Sequence, residues 1–304
     1  MQIPALNSGA QQTKPIPAKP STSRSVWHRI RRTLRSQPTG VIGLVILLIY
    51  VVVTLLGDYI APYGYEKMGV GPILAPPTLA HPFGTDDFGR DIFSRVIIGG
   101  RISLRVGLIV VAVAGSIGSV IGLISGFYGG WIDEVVMRIT DIFLAVPSLV
   151  LALAIATAMG PSIENAIIGI AAVRWTTYAR LMRSSVLVEK MQDYALSARA
   201  VGVPTWLILF RHLLPNSYTP VLVQATLDFG MAILLAAGLS FVGAGAQPPT
   251  PEWGALVSSG RKFVQSAWWV ATFPGLAIFG AVLAFNLVGD ALRDALDPRL
   301  RHES

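Results

Sequence analysis

The chain has 304 residues, 53% of them hydrophobic and only 13% charged, with a mean hydropathy of +0.59; a soluble domain carries about 25% charged residues, so the bilayer is its natural solvent. It has no cysteine, which excludes disulfides, thiolate metal sites and Cys nucleophiles, and its four histidines, His28, His81, His212 and His302, are too scattered for a metal site. The net charge of +7 fits basic loops on one face of a membrane and does not indicate nucleic-acid binding.

Residues 1–40 read as a tail on the inner side. Residues 1–23 are rich in Pro, Ser, Lys and Gln and read as disordered. Trp27, Ile30 and Leu34 then share one helical face with Arg between them, the pattern of an amphipathic helix lying on membrane lipid. A hydrocarbon core about 30 Å thick needs roughly 20 apolar residues in a helix. Residues 41–60 form the first such run, within a first membrane segment 41–61. It is too long for a cleaved signal, and no A-x-A-like site follows. An outer loop, 62–101, holds Pro62, Pro72, Pro76, Pro77 and Pro82 and should be irregular. Five further spans make up a core from 102 to 290: 102–127, 139–159, 163–173 continuing less hydrophobically to 187, 218–242 and 269–289. The fourth span is crowded by Arg174, Arg180 and Arg183. Gly118, Gly122 and Gly126 form a small-residue ridge that lets another helix approach closely. Pro147 and Pro274 remove intrahelical bonds and predict kinks. Residues 246–268 form a second outer segment, and Trp268 and Trp269 mark a membrane interface. Residues 291–304 form the closing tail.

Lys and Arg concentrate on the cytoplasmic side of membrane proteins. With the N-terminus inside, 17 of the 24 Lys and Arg fall on inner segments. The expected fold is therefore all-α: a polytopic membrane protein with six transmembrane helices and both ends cytoplasmic. Five spans would put Arg293, Arg299 and Arg301 outside.

The inner loop 189–216 is polar and rich in small residues. Asp193 is placed to cap a helix, residues 194–201 give about two turns, Gly202 suits the left-handed position beyond the end, and Pro204 cannot continue it. Ala195, Ala198 and Gly202 leave one side open to close backbone approach. Tyr194, Ala198 and Val201 supply an apolar stripe, and Arg199 offers a fork for a carboxylate. Such a helix fits a groove on another protein or lies on lipid head groups; these residues by themselves leave both readings open.

The pattern Asp193-Tyr194-x-x-x-Ala198-Arg199-Ala200-x-Gly202, followed by Arg211-His212-x-x-Pro215-Asn216, resembles the EAA loop of binding-protein-dependent ABC importer permeases. It is most similar to the dipeptide/oligopeptide/nickel branch, the DppC/OppC-like permeases. Leu196 and Ser197 stand where that pattern has Glu and its first Ala, so an ionic contact would fall to Asp193, Arg199 or Arg211. Three other stretches resemble the same branch: His81-Pro82-Phe83-Gly84-Thr85-Asp86-Asp87-Phe88-Gly89-Arg90-Asp91, then Gly245-Ala246-Gln247-Pro248-Pro249-Thr250-Pro251-Glu252-Trp253-Gly254, and Phe285-Asn286-x-x-Gly289-Asp290-x-Leu292-Arg293-Asp294-x-Leu296-Asp297-Pro298-Arg299. Ala236 stands where many relatives carry an acid before Leu239-Ser240-Phe241.

The resemblance implies a type I importer permease whose loop, a coupling helix, meets an ATPase. It implies a homologous DppB/OppB-like permease, two ATPase subunits and an extracytoplasmic substrate-binding protein as partners. ATP and Mg would be bound by the ATPases, since this chain has no G-x-x-x-x-G-K-[ST], and it would be a transport subunit with no catalytic residue, cofactor or metal of its own. Di- and oligopeptides, glutathione-like peptides and nickel chelates are all carried within the branch, and the inner membrane is the expected location.

Other residues hold open readings. Asp86, Asp87, Arg90 and Asp91 could form a metal site, a helix cap made by Thr85 or Asp86 with an Arg90 ion pair, or a docking point for an external binding protein. Glu252 and Trp253 suit an outer gate, a docking loop or an interfacial anchor. Asp228 is an acid well inside a span, with Gln224 one turn before it. This face lines a pathway or a permease seam, or else Asp228 is buried against an Arg. In the tail, Asp290, Arg293, Asp294 and Asp297 sit where a second ATPase contact would fall. A competing class is an ion-coupled secondary transporter, for which Asp228 would be the coupling group, although no inverted repeat is visible. A membrane enzyme finds no nucleophile or H-E-x-x-H pattern to support it.

Overall fold

The computed structural model describes residues 38–296, so the amphipathic helix expected around Trp27 and the tail residues Asp297, Pro298, Arg299 and Arg301 lie outside the described part. The fold is all-α, with only an isolated bridge between Thr85 and Asp91 among the described residues. Helix α1 (Pro38–Leu55) opens on a proline, whose missing N–H costs nothing at a first helical position. A short α2 (Gly57–Ile60) leads into the proline-rich loop. Helix α3 spans Ile92–Tyr128, α4 Gly130–Ala145, α5 Ser148–Met159 and α6 Ile163–Glu189. The short α7 (Asp193–Ala200) follows. A helical stretch then comprises α8 (Thr205–Leu207), a π-helical turn Ile208–Leu213 and α9 (Leu214–Ser217). Helices α10 (Thr219–Phe241), α11 (Trp253–Gly260) and α12 (Trp269–Leu296) complete the order.

Helices α1, α3, α10 and α12 are each long and apolar enough to cross a membrane, and α4 with α5 makes a fifth candidate, bent by 91°. The break falls at Val146 and Pro147, so the expected kink in 139–159 is a right-angle change of direction. It also moves the beginning of that segment back to Gly130. Helix α6 has the length, 27 residues or about 40 Å, but carries charge.

That charge is neutralised from outside the helix. Arg174 pairs with Asp228 of α10, Arg180 with Asp141 of α4, and Arg183 forks onto Asp133 of α4 through two contacts of 2.5 Å. Ions at membrane depth persist when each has a partner or water. The glycine ridge of α3 faces this same helix. A Cβ at Gly118 would stand 2.6 Å from Cβ of Tyr178, and one at Gly126 3.0 Å from the carbonyl of Arg183; Gly122 abuts Ala179. Without those glycines the α3–α6 packing could not close.

Helix α3 begins ten residues before the expected 102. Asp91, rather than Thr85 or Asp86, is its cap, accepting from the Ser94 amide at 2.8 Å and the Ser94 hydroxyl at 2.7 Å. Arg95 and Arg101 lie in these added turns, and both find acceptors. Arg95 is buried against Asp86, and Arg101 donates to Asp58 and to the carbonyls of Thr54 and Leu55. On the same side of the bundle, Trp269 is not an interface marker. It is buried, with its indole N–H 3.3 Å from the carbonyl of Thr85, while Trp268 stays exposed.

Candidate functional site

The segment between α6 and α10 is held rigidly by the chain itself. Ala195 and Ala198 of α7 are buried together with Tyr178, Met182 and Val186 of α6, Leu123 of α3, and Ile208, Leu209 and Leu213 of the π turn. Burying each large side chain here contributes about 1.5–3 kcal/mol. The small residues of α7 therefore admit the chain's own backbone, not a partner's.

The ends of α7 follow the chain's local chemistry. Gln192 occupies the cap position without a side-chain bond, and Asp193 is the first helical residue; the expected Asp193 cap is corrected. Its carboxylate still lies in the first turn, where the helix dipole favours an anion. At the other end the amide of Gly202 bonds to Arg199 and that of Val203 to Ala198, both at 3.0 Å, the paired bonds of a Schellman stop. Gly202 has φ +77° and open space around it. It is needed for its backbone angle, as the left-handed reading expected, and not to make room for a close neighbour.

Tyr194 donates to Glu189 at 2.6 Å and stands near Asn216. Burial, and then the hydrogen bond to Glu189, push its phenol up to about 12. Arg199 stacks over the Phe127 ring at 4.7 Å, so its fork is oriented by the chain before any carboxylate arrives. The amide of Asn216 holds the carbonyl of His212 at 2.6 Å. Pro215 has no N–H to offer the carbonyl of Arg211, and the helical ladder widens into the π turn just before it. Sequence reasoning did not anticipate that turn.

Outward, the segment is apolar. Val201 is 79% exposed, Trp206 64%, Phe210 50% and Leu196 43%, with Tyr194 beside them. Asp193, Arg199, Ala200, Arg211, Pro215 and Asn216 are also exposed around this patch, and His212 is half-buried. Contiguous exposed apolar surface beside polar residues marks an interaction face. Trp206 and Phe210 were missed, although their i, i+4 spacing one turn past Pro204 was a usable signal.

The other candidates resolve differently. Asp86 accepts from the amides of Phe88 and Arg90 at 2.9 and 3.0 Å, from Nε of Arg90 at 2.7 Å and from Arg95 at 3.2 Å. Asp91 also meets Nδ1 of His81 at 2.9 Å. Asp86, Arg90 and Asp91 are buried, and Asp87 pairs with Lys262 at 3.1 Å. Glu252 is buried too, capping α11 through the Ala255 amide at 3.0 Å, and the buried Trp253 donates to the carbonyl of Val96 at 2.8 Å. These two are core residues, so neither an exposed docking loop nor an interfacial anchor describes them. Asp228 is 2% exposed and lies against Arg174. Gln224, one turn earlier, lines a separate cleft.

Comparison with known proteins adds to this geometry. A family model described as "Binding-protein-dependent transport system inner membrane component" matches residues 118–302, and one described as "N-terminal TM domain of oligopeptide transport permease C" matches 25–77. The chain is 44% identical over 291 residues to a dipeptide transport system permease protein DppC of Alkalihalophilus pseudofirmus, covering 96% of each chain. It is also 44% identical over 285 residues to a glutathione transport system permease protein GsiD of Pectobacterium atrosepticum, covering 91% of this chain and 93% of that one. Among solved structures, an inward-facing form of the MetNI methionine ABC transporter aligns with a TM-score of 0.49 at 20% identity, over 64% of this chain and 95% of that one.

Proposed function

The chain belongs to the binding-protein-dependent transport system inner membrane components, and from that premise we propose that it forms half of the translocation channel of an ATP-driven importer for di- or oligopeptides, or a related small solute. In this reading a homologous permease completes the channel, two ATPase subunits bind from the cytoplasm, and an extracytoplasmic binding protein delivers the solute. The names of its relatives, which carry dipeptides and glutathione, support the solute class. The chain crosses the membrane six times, α7 faces the cytoplasm, and the 61–91 loop and α11 face outward.

The observation that carries the proposal is the exposed apolar face of α7 to α9 on a mount of buried side chains. A surface that moves with its support can transmit force; a surface on a loose loop cannot. ATP-driven approach of the ATPases would displace α7, and the shared core would carry α6 with it. The pairs Arg174–Asp228, Arg180–Asp141 and Arg183–Asp133 then link α6 to α10 and α4. Alternating access results when the ATPases contact α7 differently in the two states.

The test is co-purification with the ATPases and the second permease, comparing wild type with Val201→Asp and Trp206→Asp. Wild type is expected to retain the ATPases and both variants to lose them while still reaching the membrane. Wild type that retains no ATPase would overturn the reading.

A further inference from the structure

A cleft of about 570 Å³ lies between α6, α10 and α12. Leu181 and Leu227 wall it with apolar surface, and four polar side chains converge on it: Asn216, Thr219, Gln224 and Arg293. Their free valences are informative. Asn216 spends one amide hydrogen on His212, leaving its oxygen available. Among the described residues, Gln224 and Arg293 take part in no hydrogen bond or ion pair, and no carboxylate lines the cleft. A guanidinium with no acid among the described residues, beside a carboxamide whose donor and acceptor meet no described partner, matches two features of one ligand. The guanidinium fork fits a carboxylate through two parallel bonds. The carboxamide fits a peptide unit, which also offers one donor and one acceptor. Apolar walls with a few convergent polar groups are the usual make-up of a small-molecule site.

We infer that this cleft binds the C-terminal carboxylate and last peptide unit of a short peptide, with Arg293 on the carboxylate and Gln224 on the amide. Asn216 stands at the cleft and also near the Tyr194 hydroxyl of α7, so an occupant touches the segment that joins α7 to α10. The cleft lies at the α7 end of the bundle and is a release-side station for the solute. This assignment rests on the importer reading above.

The test uses the full complex of both permeases and ATPases, without binding protein, in nanodiscs of zwitterionic lipid. Calorimetry compares the dipeptide alanyl-leucine with its C-terminal amide. Wild type is expected to prefer the free acid by about tenfold, the worth of one charge-assisted fork. Arg293→Gln is expected to abolish that preference, and Arg293→Lys to restore it in part. Gln224→Leu is expected to weaken acid and amide alike. Equal binding of acid and amide by wild type, or an unchanged preference in Arg293→Gln, would overturn the site. So would loss of dipeptide binding when anionic lipid is added, which would assign the cleft to a lipid headgroup. ATP-dependent uptake by the same permeases and ATPases, reconstituted in liposomes with the binding protein present, separates the two claims: uptake without acid preference in the nanodisc calorimetry sinks the cleft alone, whereas a complex that neither retains ATPases nor imports any peptide sinks the importer reading.

Discussion

The 61–91 loop with α11 and the α7–α9 segment stand at opposite ends of the bundle and solve opposite problems. The first is rich in charge and turns it inward. Asp86 holds two buried arginines and two amides, Asp91 holds a helix start and His81, and Glu252 caps α11 from within the core. The second is rich in apolar residues and leaves several outside, with Val201, Trp206 and Phe210 exposed. Buried charge that already meets an opposite charge has finished its work within the chain. Exposed apolar surface on a firm mount has not. The contrast separates the two regions more clearly than residue type does, since both looked like docking sites in the sequence, and it is the basis for proposing the α7–α9 segment as the contact face.

That contrast can be broken by substitution. The largest effect is expected at Asp86→Ala, which strands Arg90 and Arg95 in the interior. Removing one partner of a buried ionic group costs about 3–5 kcal/mol, so the thermal midpoint in detergent should fall steeply and little folded protein should be recovered. A mild effect there would mean that the loop opens to water and is a docking surface after all. Next comes Ala198→Leu, which overfills the contact between α7 and the π turn at a cost of about 1–3 kcal/mol, and which should weaken ATPase retention by loosening the mount. Gly202→Ala forces a left-handed angle on a residue with a Cβ, at about 1–2 kcal/mol. Because the space around it is open, the loss should appear as fraying of α7, read by faster amide exchange at Gly202 and Val203, with the rest of the bundle unchanged. The smallest stability effect belongs to Val201→Asp, within about 0.5 kcal/mol as for other surface changes. Loss of ATPase retention at normal stability is the expected outcome in co-purification, and it would set the two regions apart in kind.

Several parts of the molecule were legible in advance for physical reasons. The long apolar runs behind α1, α10 and α12 have one compatible solvent. The ridge of Gly118, Gly122 and Gly126 called for a helix in close contact, and α6 supplies it. Gly202 and Pro204 marked the end of α7 because a left-handed angle and a missing N–H are local properties. The start of α3 was not legible, since Arg95 and Arg101 read as polar until their acceptors are known. The direction of Ala195 and Ala198 was not legible either, because a small residue admits any close neighbour, and here the neighbour is the chain's own π turn.

The sequence by itself determined where the chain must leave water, where its helices must stop and which family it resembles, because hydropathy, backbone angle and family motifs reside in contiguous residues. Only the tertiary structure decided which charges are spent and which surfaces remain. Arg174 and Asp228 stand 54 positions apart, and Ser103 and Trp253 stand 150 apart. Whether such groups meet is fixed by the packing of distant helices, and local pattern carries no record of it.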